Sequence, residues 1–181
     1  YSVLDWLGPE DPRLLLHAGQ LLVVYNDLHI TRSGALARRL HVARFAHTSA
    51  DSLGGLTVSV LHTPHMRRVE KNWGPLPPTG DGLLRFVYSI QPHTVLGYDP
   101  ADLSRPASVH TTYPRGLRFP FGSVGGGTNA VPWRHDERGR PVFLAVAHVT
   151  TVWRWYLSFA YTFLGEPPFT ALKATPPLKL T

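Results

Sequence analysis

Glu10-Asp11-Pro12-Arg13 sets two carboxylates, a proline and a guanidinium within four residues, directly before an apolar run. Such a group can present a proton donor to a poor leaving group. Pro12 has no N–H with which to stabilise a carboxylate at Asp11, and the charge of Glu10 opposes its ionisation, whereas Arg13 favours it. The plainer reading is a turn, because proline presets its own φ and pushes the residue before it toward extended conformations. Three further places carry polar chemistry: Lys71-Asn72, Thr128-Asn129 and His148. "HTPH" at His62 to His65 has poor spacing for a metal, so no metal is expected. "GGGT" from Gly125 reads as a tight bend, because it lacks the strand–loop–helix setting of a phosphate loop. Trp73, Trp133 and Trp153 are expected in the core.

These residues recur on a common local plan. "RLLLH", a two-residue turn at Ala18-Gly19 and "QLLVVYN" read as a β-hairpin. The same order of polar entrance, turn and apolar run follows twice more. Asn72 leads through "TGDG" to Leu83–Tyr88, and Asn129 leads through "HDERG" to Val142–Ala147. Each run is followed by another strand, near Leu40–Phe45, Thr94–Tyr98 and Tyr156–Phe163, and then by an outer strand, near Thr57–His62, Val109–Tyr113 and Thr170–Ala174. A helical turn is expected only near Pro12 or Ala101-Asp102. The entrances lie roughly 60 residues apart, which fits four strands per repeat.

The predicted fold is therefore all-β, a β-propeller of four-stranded antiparallel blades, with a β-sandwich of short strands as the alternative. Blade-like repeats run near 10–62, 70–114 and 125–176, in one domain over 1–181. A propeller closes with about four to eight blades, so three blades make an incomplete one. In that fold the first strand of each blade lines the central funnel. Asp11, Asn72 and Asn129 are expected to converge there as one polar pocket.

Bulk properties narrow the partners. The chain has 181 residues and a net charge of +6, from 15 Arg and 3 Lys against 8 Asp and 4 Glu. The arginines are scattered, with Arg38-Arg39 and Arg67-Arg68 as the densest points, and no element suits a nucleic-acid groove. A small anion such as phosphate or a sugar phosphate remains compatible. Val142–Gly165 is long and apolar, but Arg154 lies inside it and its residues favour strands. It is expected to form two strands joined near Thr150-Thr151, and no membrane span is expected. There is no cysteine, and compartment and oligomeric state stay open.

"EDPR", "KN", "GGGTNAVP", "AVAH" and "YLSFAYTFLGEPPF", in this order, resemble the five-bladed propeller family of β-mannoside phosphorylases and β-1,2-mannosidases. The resemblance spans most of Glu10 to Leu172. It implies a carbohydrate-active enzyme that cleaves or transfers a glycosyl group, a β-mannosyl group first, by phosphorolysis, hydrolysis or transfer. By the same resemblance Asp11 is the general acid, working through a sugar hydroxyl, and Lys71 and His148 face a phosphate. Glu10, Arg13, Asn72 and Asn129 complete the expected site. Val149 stands where the family's motif has glycine, and no segment here matches its remaining phosphate-binding arginine. Inverting hydrolysis needs a second carboxylate, for which Glu70 and Asp99 are available. No cofactor is implied beyond inorganic phosphate as co-substrate. The alternative function is a non-catalytic propeller that binds glycan or protein.

Overall fold

The computed structural model describes residues 8–31, 33–48, 52–64, 66–114, 119 and 122–178. Among these there is no helix; the chain forms antiparallel strands in three sheets. The first sheet is a meander of β1 (Glu10–His17), β2 (Gln20–Ile30), β3 (Leu36–Thr48) and β4 (Leu53–Val60), in that order. The second runs β5 (Gly74–Pro75), β6 (Leu84–Ile90), β7 (His93–Tyr98) and β8 (Ser108–Thr112). The third runs β10 (Val131–His135), β11 (Pro141–Thr151), β12 (Tyr156–Leu164) and β13 (Ala171–Ala174), and β9 (Gly122–Gly126) pairs with the far end of β11. All nine expected strands following the three entrances are present, within a few residues of their expected bounds. No helical turn forms at Pro12, which lies in β1, and Ala101-Asp102 belongs to a turn closed from Asp102 N–H to the Asp99 carbonyl.

The chain divides into two compact units. One is Tyr1–Lys71 with Tyr98–Pro106, and the other is Asn72–Gly97 with Ala107–Thr181. In the first unit both faces of the sheet are apolar. Leu15, Leu22, Val24, Leu40 and Val42 are buried. Across the other face, Leu14 pairs with Val23, Val23 with Ala43 and Ala43 with Val58, and Leu14, Leu16 and Leu56 stay more than half exposed. In the second unit, Leu76, Val87 and Val95 of the β5–β8 segment share one core with Phe143, Ala145, Phe159 and Phe163 of the β10–β13 sheet.

Turn chemistry explains the hairpins. Ala18 and Gly19 both have positive φ, 48° and 74°, as a two-residue turn between twisted strands requires. Three other hairpins close on one three-residue loop. In each, the first flanking residue accepts from the loop's third N–H and donates its own N–H to the closing residue's carbonyl: Thr31/Ala35, Asp136/Arg140 and Thr151/Trp155, all at 2.9 Å. The side-chain oxygens of Thr31, Asp136 and Thr151 also accept the closing residue's N–H. The last loop residue is left-handed in all three. It is glycine in two, Gly34 (φ 79°) and Gly139 (φ 76°), but Arg154 (φ 62°) in the third. A side chain there costs about 1 kcal/mol relative to glycine.

The shared core also buries a base. His93 is 0% exposed, its ring 4.9 Å from that of Phe163 and 5.9 Å from that of Tyr161. Neither ring nitrogen finds a hydrogen-bond partner of ordinary geometry among the described residues, and the Phe169 main chain offsets only part of the lost hydration. Burial pushes the His93 pKa down to about 4. As pH falls from near 6.5 to about 4, the unfolded chain takes up a proton that the folded chain refuses. Stability present above pH 6.5 is lost across that window, by roughly 3 kcal/mol in total. Urea unfolding at pH 7 and pH 4 should therefore show a much shallower loss for His93→Leu than for the wild type; equal losses would mean that His93 is not held neutral.

Candidate functional site

In the first unit the opening motif forms an irregular strand entrance. Glu10 pairs with Asn26 and Arg13 with Val24, so Asp11 and Pro12 together oppose one residue of β2. This is a β-bulge, and Asp11 takes the left-handed conformation it requires, with φ 53°. The bulge turns the exposed Asp11 away from the regular alternation of β1.

Asn26, buried at 2% exposure in β2, holds the bulge in place. Its amide nitrogen donates to Asp11 Oδ2 and to the Glu10 carbonyl, both at 3.2 Å. Its amide oxygen accepts from the Arg38 guanidinium at 2.9 Å, and the same guanidinium pairs with Glu10 Oε1 at 2.8 Å. Glu10, expected from the sequence to act on Asp11 by its charge, is itself paired with Arg38. Arg13 is half-buried; burial pushes its pKa down, while the nearby charge of Asp11 raises it. The two carboxylates named as candidate bases serve their own loops. Glu70 is 2% exposed and accepts from Arg67 N–H at 2.6 Å, and Asp99 accepts from Ala101 N–H at 2.8 Å.

Lys71 is exposed at the end of the first unit, and Asn72 opens the second with φ 65°. The second meander therefore repeats the left-handed entrance residue of the first. Asn72 lies against β9. A Cβ on Gly125 would lie 2.8 Å from His148 Nε2 and 3.2 Å from Asn72 Nδ2, so these two predicted residues flank one backbone position. A Cβ on Gly126 would lie 2.1 Å from the Asn72 carbonyl oxygen. Of the expected "GGGT" bend, Gly125 and Gly126 are strand residues that let the Asn72 backbone approach, and the chain bends only after them, at Thr128.

His148 is half-buried, opposite Gly125 on β9 and Ser158 on β12. Its ring packs at 5.1 Å from that of Tyr156. With Thr150 opposite Ser123 and Tyr156, this face of the sheet carries polar and aromatic groups. Asn129 is half-buried in a loop pinned by Thr128 Oγ1, which donates to the Asn129 carbonyl and accepts from Val146 N–H. Trp73 is core, as expected, at 2% exposure. Trp133 and Trp153 are not; they are 51% and 76% exposed, the first on β10, whose residues are all exposed, and the second in the turn after β11. His65 of "HTPH" lies outside the described residues.

Comparison with known protein families, curated proteins and solved structures finds no match to this chain. Function rests on the residues. Sequence reading passed over Asn26 and Arg38, which position Asp11. The available signals were an asparagine inside an apolar strand and an arginine doublet on its neighbour.

Gly126→Ala forces a methyl group onto the Asn72 carbonyl and should destabilise the fold by about 1–3 kcal/mol. Gly54→Ala, where a Cβ meets nothing within 4 Å, should stay within about 0.5 kcal/mol of wild type. Urea midpoints that fail to separate the two variants would refute the close approach.

Proposed function

We propose that this chain is part of a β-propeller that cleaves or transfers glycosyl groups, β-mannosyl first, with Asp11 as general acid. The observation that carries the reading is the presentation of Asp11. It is an exposed carboxyl on a left-handed bulge, held by a buried Asn26, while Arg38 is engaged by its neighbour Glu10. Strained, over-determined residues of this kind cluster at functional sites. The propeller is supported by three successive antiparallel meanders, two in four-stranded sheets and the third in a sheet that β9 extends to five strands, by the left-handed residue at two of the three entrances, and by apolar character on both faces of the first sheet.

Phosphorolysis suits the residues better than hydrolysis. Glu70 is buried and accepts from its own loop, so it is no ready base for water, and Asp99 is exposed in a turn of its own. With phosphate as nucleophile, a phosphate oxygen bonds to the anomeric carbon as the glycosidic C–O bond breaks. Asp11 gives its proton to the departing oxygen and is reprotonated from the phosphate, leaving a sugar 1-phosphate and an alcohol. The resemblance, rather than the geometry, gives Lys71 and His148 as the basic residues for the anion. The burial of Glu70 also favours the second reading, a propeller that binds glycan without cleaving it.

In the full-length protein, Asp11→Asn should cut release of mannose 1-phosphate from a β-mannoside by about 10²–10⁴. Sugar affinity and melting temperature should barely change. A stable Asp11 variant with full activity would reduce the motif to a turn. Turnover should also require inorganic phosphate, and Lys71→Ala should raise the KM for phosphate far more than that for the sugar. Equal turnover without phosphate would point to hydrolysis instead.

A further inference from the structure

The tip of the β11–β12 hairpin is the most exposed aromatic feature among the described residues of the third sheet. Val152, Trp153, Trp155 and Tyr156 are 82%, 76%, 70% and 65% exposed. Side chains of this size left in water mark a binding surface more often than an accident of packing. The tip is also pre-formed, since Thr151 closes the loop with backbone and side-chain hydrogen bonds to Arg154 and Trp155.

A second, independent observation concerns the backbone. The two sister loops place glycine at their left-handed position, whereas this loop holds Arg154 there at φ 62°. The fold would be more stable with glycine, so the tip keeps a side chain at a position where folding alone disfavours one. The tip is continuous with the His148 face of the sheet through Tyr156. Tyr156 packs on His148, and beside them lie the neutral hydrogen-bonding groups of Thr150, Ser123 and Ser158, with the Asn72 amide next to Gly125.

We propose that Trp153, Arg154 and Trp155 form an outlying subsite for a glycan chain whose nearer sugar lies on the His148 face. This rests on the reading of the protein as glycan-acting and extends it to a polymeric ligand. A sugar ring offers an apolar C–H face to an indole and hydroxyls to neutral polar groups, so it satisfies both halves of this surface. A lipid surface or an apolar protein patch would bury Thr150, Ser123 and Ser158 without hydrogen-bond partners. With Arg154 as the only charge from Thr150 to Ser158, the tip also has little to attract an anionic membrane.

The test uses the full chain in native gels containing soluble mannan or glucan, with the monosaccharides as controls and with phosphatidylcholine/phosphatidylglycerol vesicles in parallel. Wild type should be retarded by a polysaccharide and not by its monosaccharide. The Trp153→Ala/Trp155→Ala double variant should lose about tenfold or more in affinity while keeping its circular dichroism spectrum. Arg154→Gly should melt at a higher temperature yet bind the polysaccharide more weakly. Absence of retardation, equal retardation of wild type and double variant, or a tryptophan blue shift with vesicles but not with glycan would each overturn the subsite. Asp11→Asn separates the two readings. Retardation that depends on the tryptophans without any Asp11-dependent turnover defeats only the catalytic reading. Asp11-dependent turnover with the same kcat/KM for long and short substrates in wild type and double variant defeats only the subsite.

Discussion

The buried Asn26 amide is the constraint on which the candidate acid depends. A side-chain amide has a donor end and an acceptor end, and here both are used. The donor reaches the Asp11 carboxylate and the Glu10 carbonyl on β1, and the acceptor takes the Arg38 guanidinium from β3. One residue of the middle strand thereby ties both neighbours together where the ladder of β1 is broken by the bulge. Left unpaired at 2% exposure, the amide would cost about 1–3 kcal/mol, so the bulge and the network hold each other in place. Arg38 completes the arrangement by drawing Glu10 aside into an ion pair.

The second unit follows a different rule, that of close backbone approach. Gly125 and Gly126 have no side chains, and this is what lets the His148 ring and the Asn72 amide come up to Gly125 and the Asn72 carbonyl to Gly126. Beneath them the core is rich in aromatic rings, with Phe143 and Tyr161 packed on Phe163, and His93 is enclosed among these rings as a neutral base. Polar groups therefore stay on the β9–β11–β12 face, while the opposite alternation of the same strands, Ala147, Val149 and Phe159, builds the core. The period of two along a strand lets one segment do both.

Much of the architecture was legible in the sequence. Alternating apolar runs, Ala18-Gly19, "TGDG" and "HDERG" marked the hairpins, and the repeated order of polar entrance, turn and run marked three meanders. These are local properties: turn residues need particular φ values, and β-branched and aromatic runs pack well on a pleated surface. β9 was missed because Gly122, Gly125 and Gly126 have weak strand propensity; the strand exists because its backbone is sandwiched by β11 and Asn72.

The sequence by itself determined the strands, the hairpin turns and the polar character of the entrances, because each depends on residues near one another in the chain. Tertiary structure alone decided which side chains meet. Asn26 reaches Asp11 from the neighbouring strand, 15 residues away, Arg38 reaches Asn26 and Glu10 from the strand beyond, and Asn72 and His148 both come up to Gly125. Only the folded chain shows that Glu10 is already paired, that Trp153 faces water and that Arg154 stands in a glycine's place. Contacts of that kind depend on strand register and on which face is buried, and neither is written in the order of neighbouring residues.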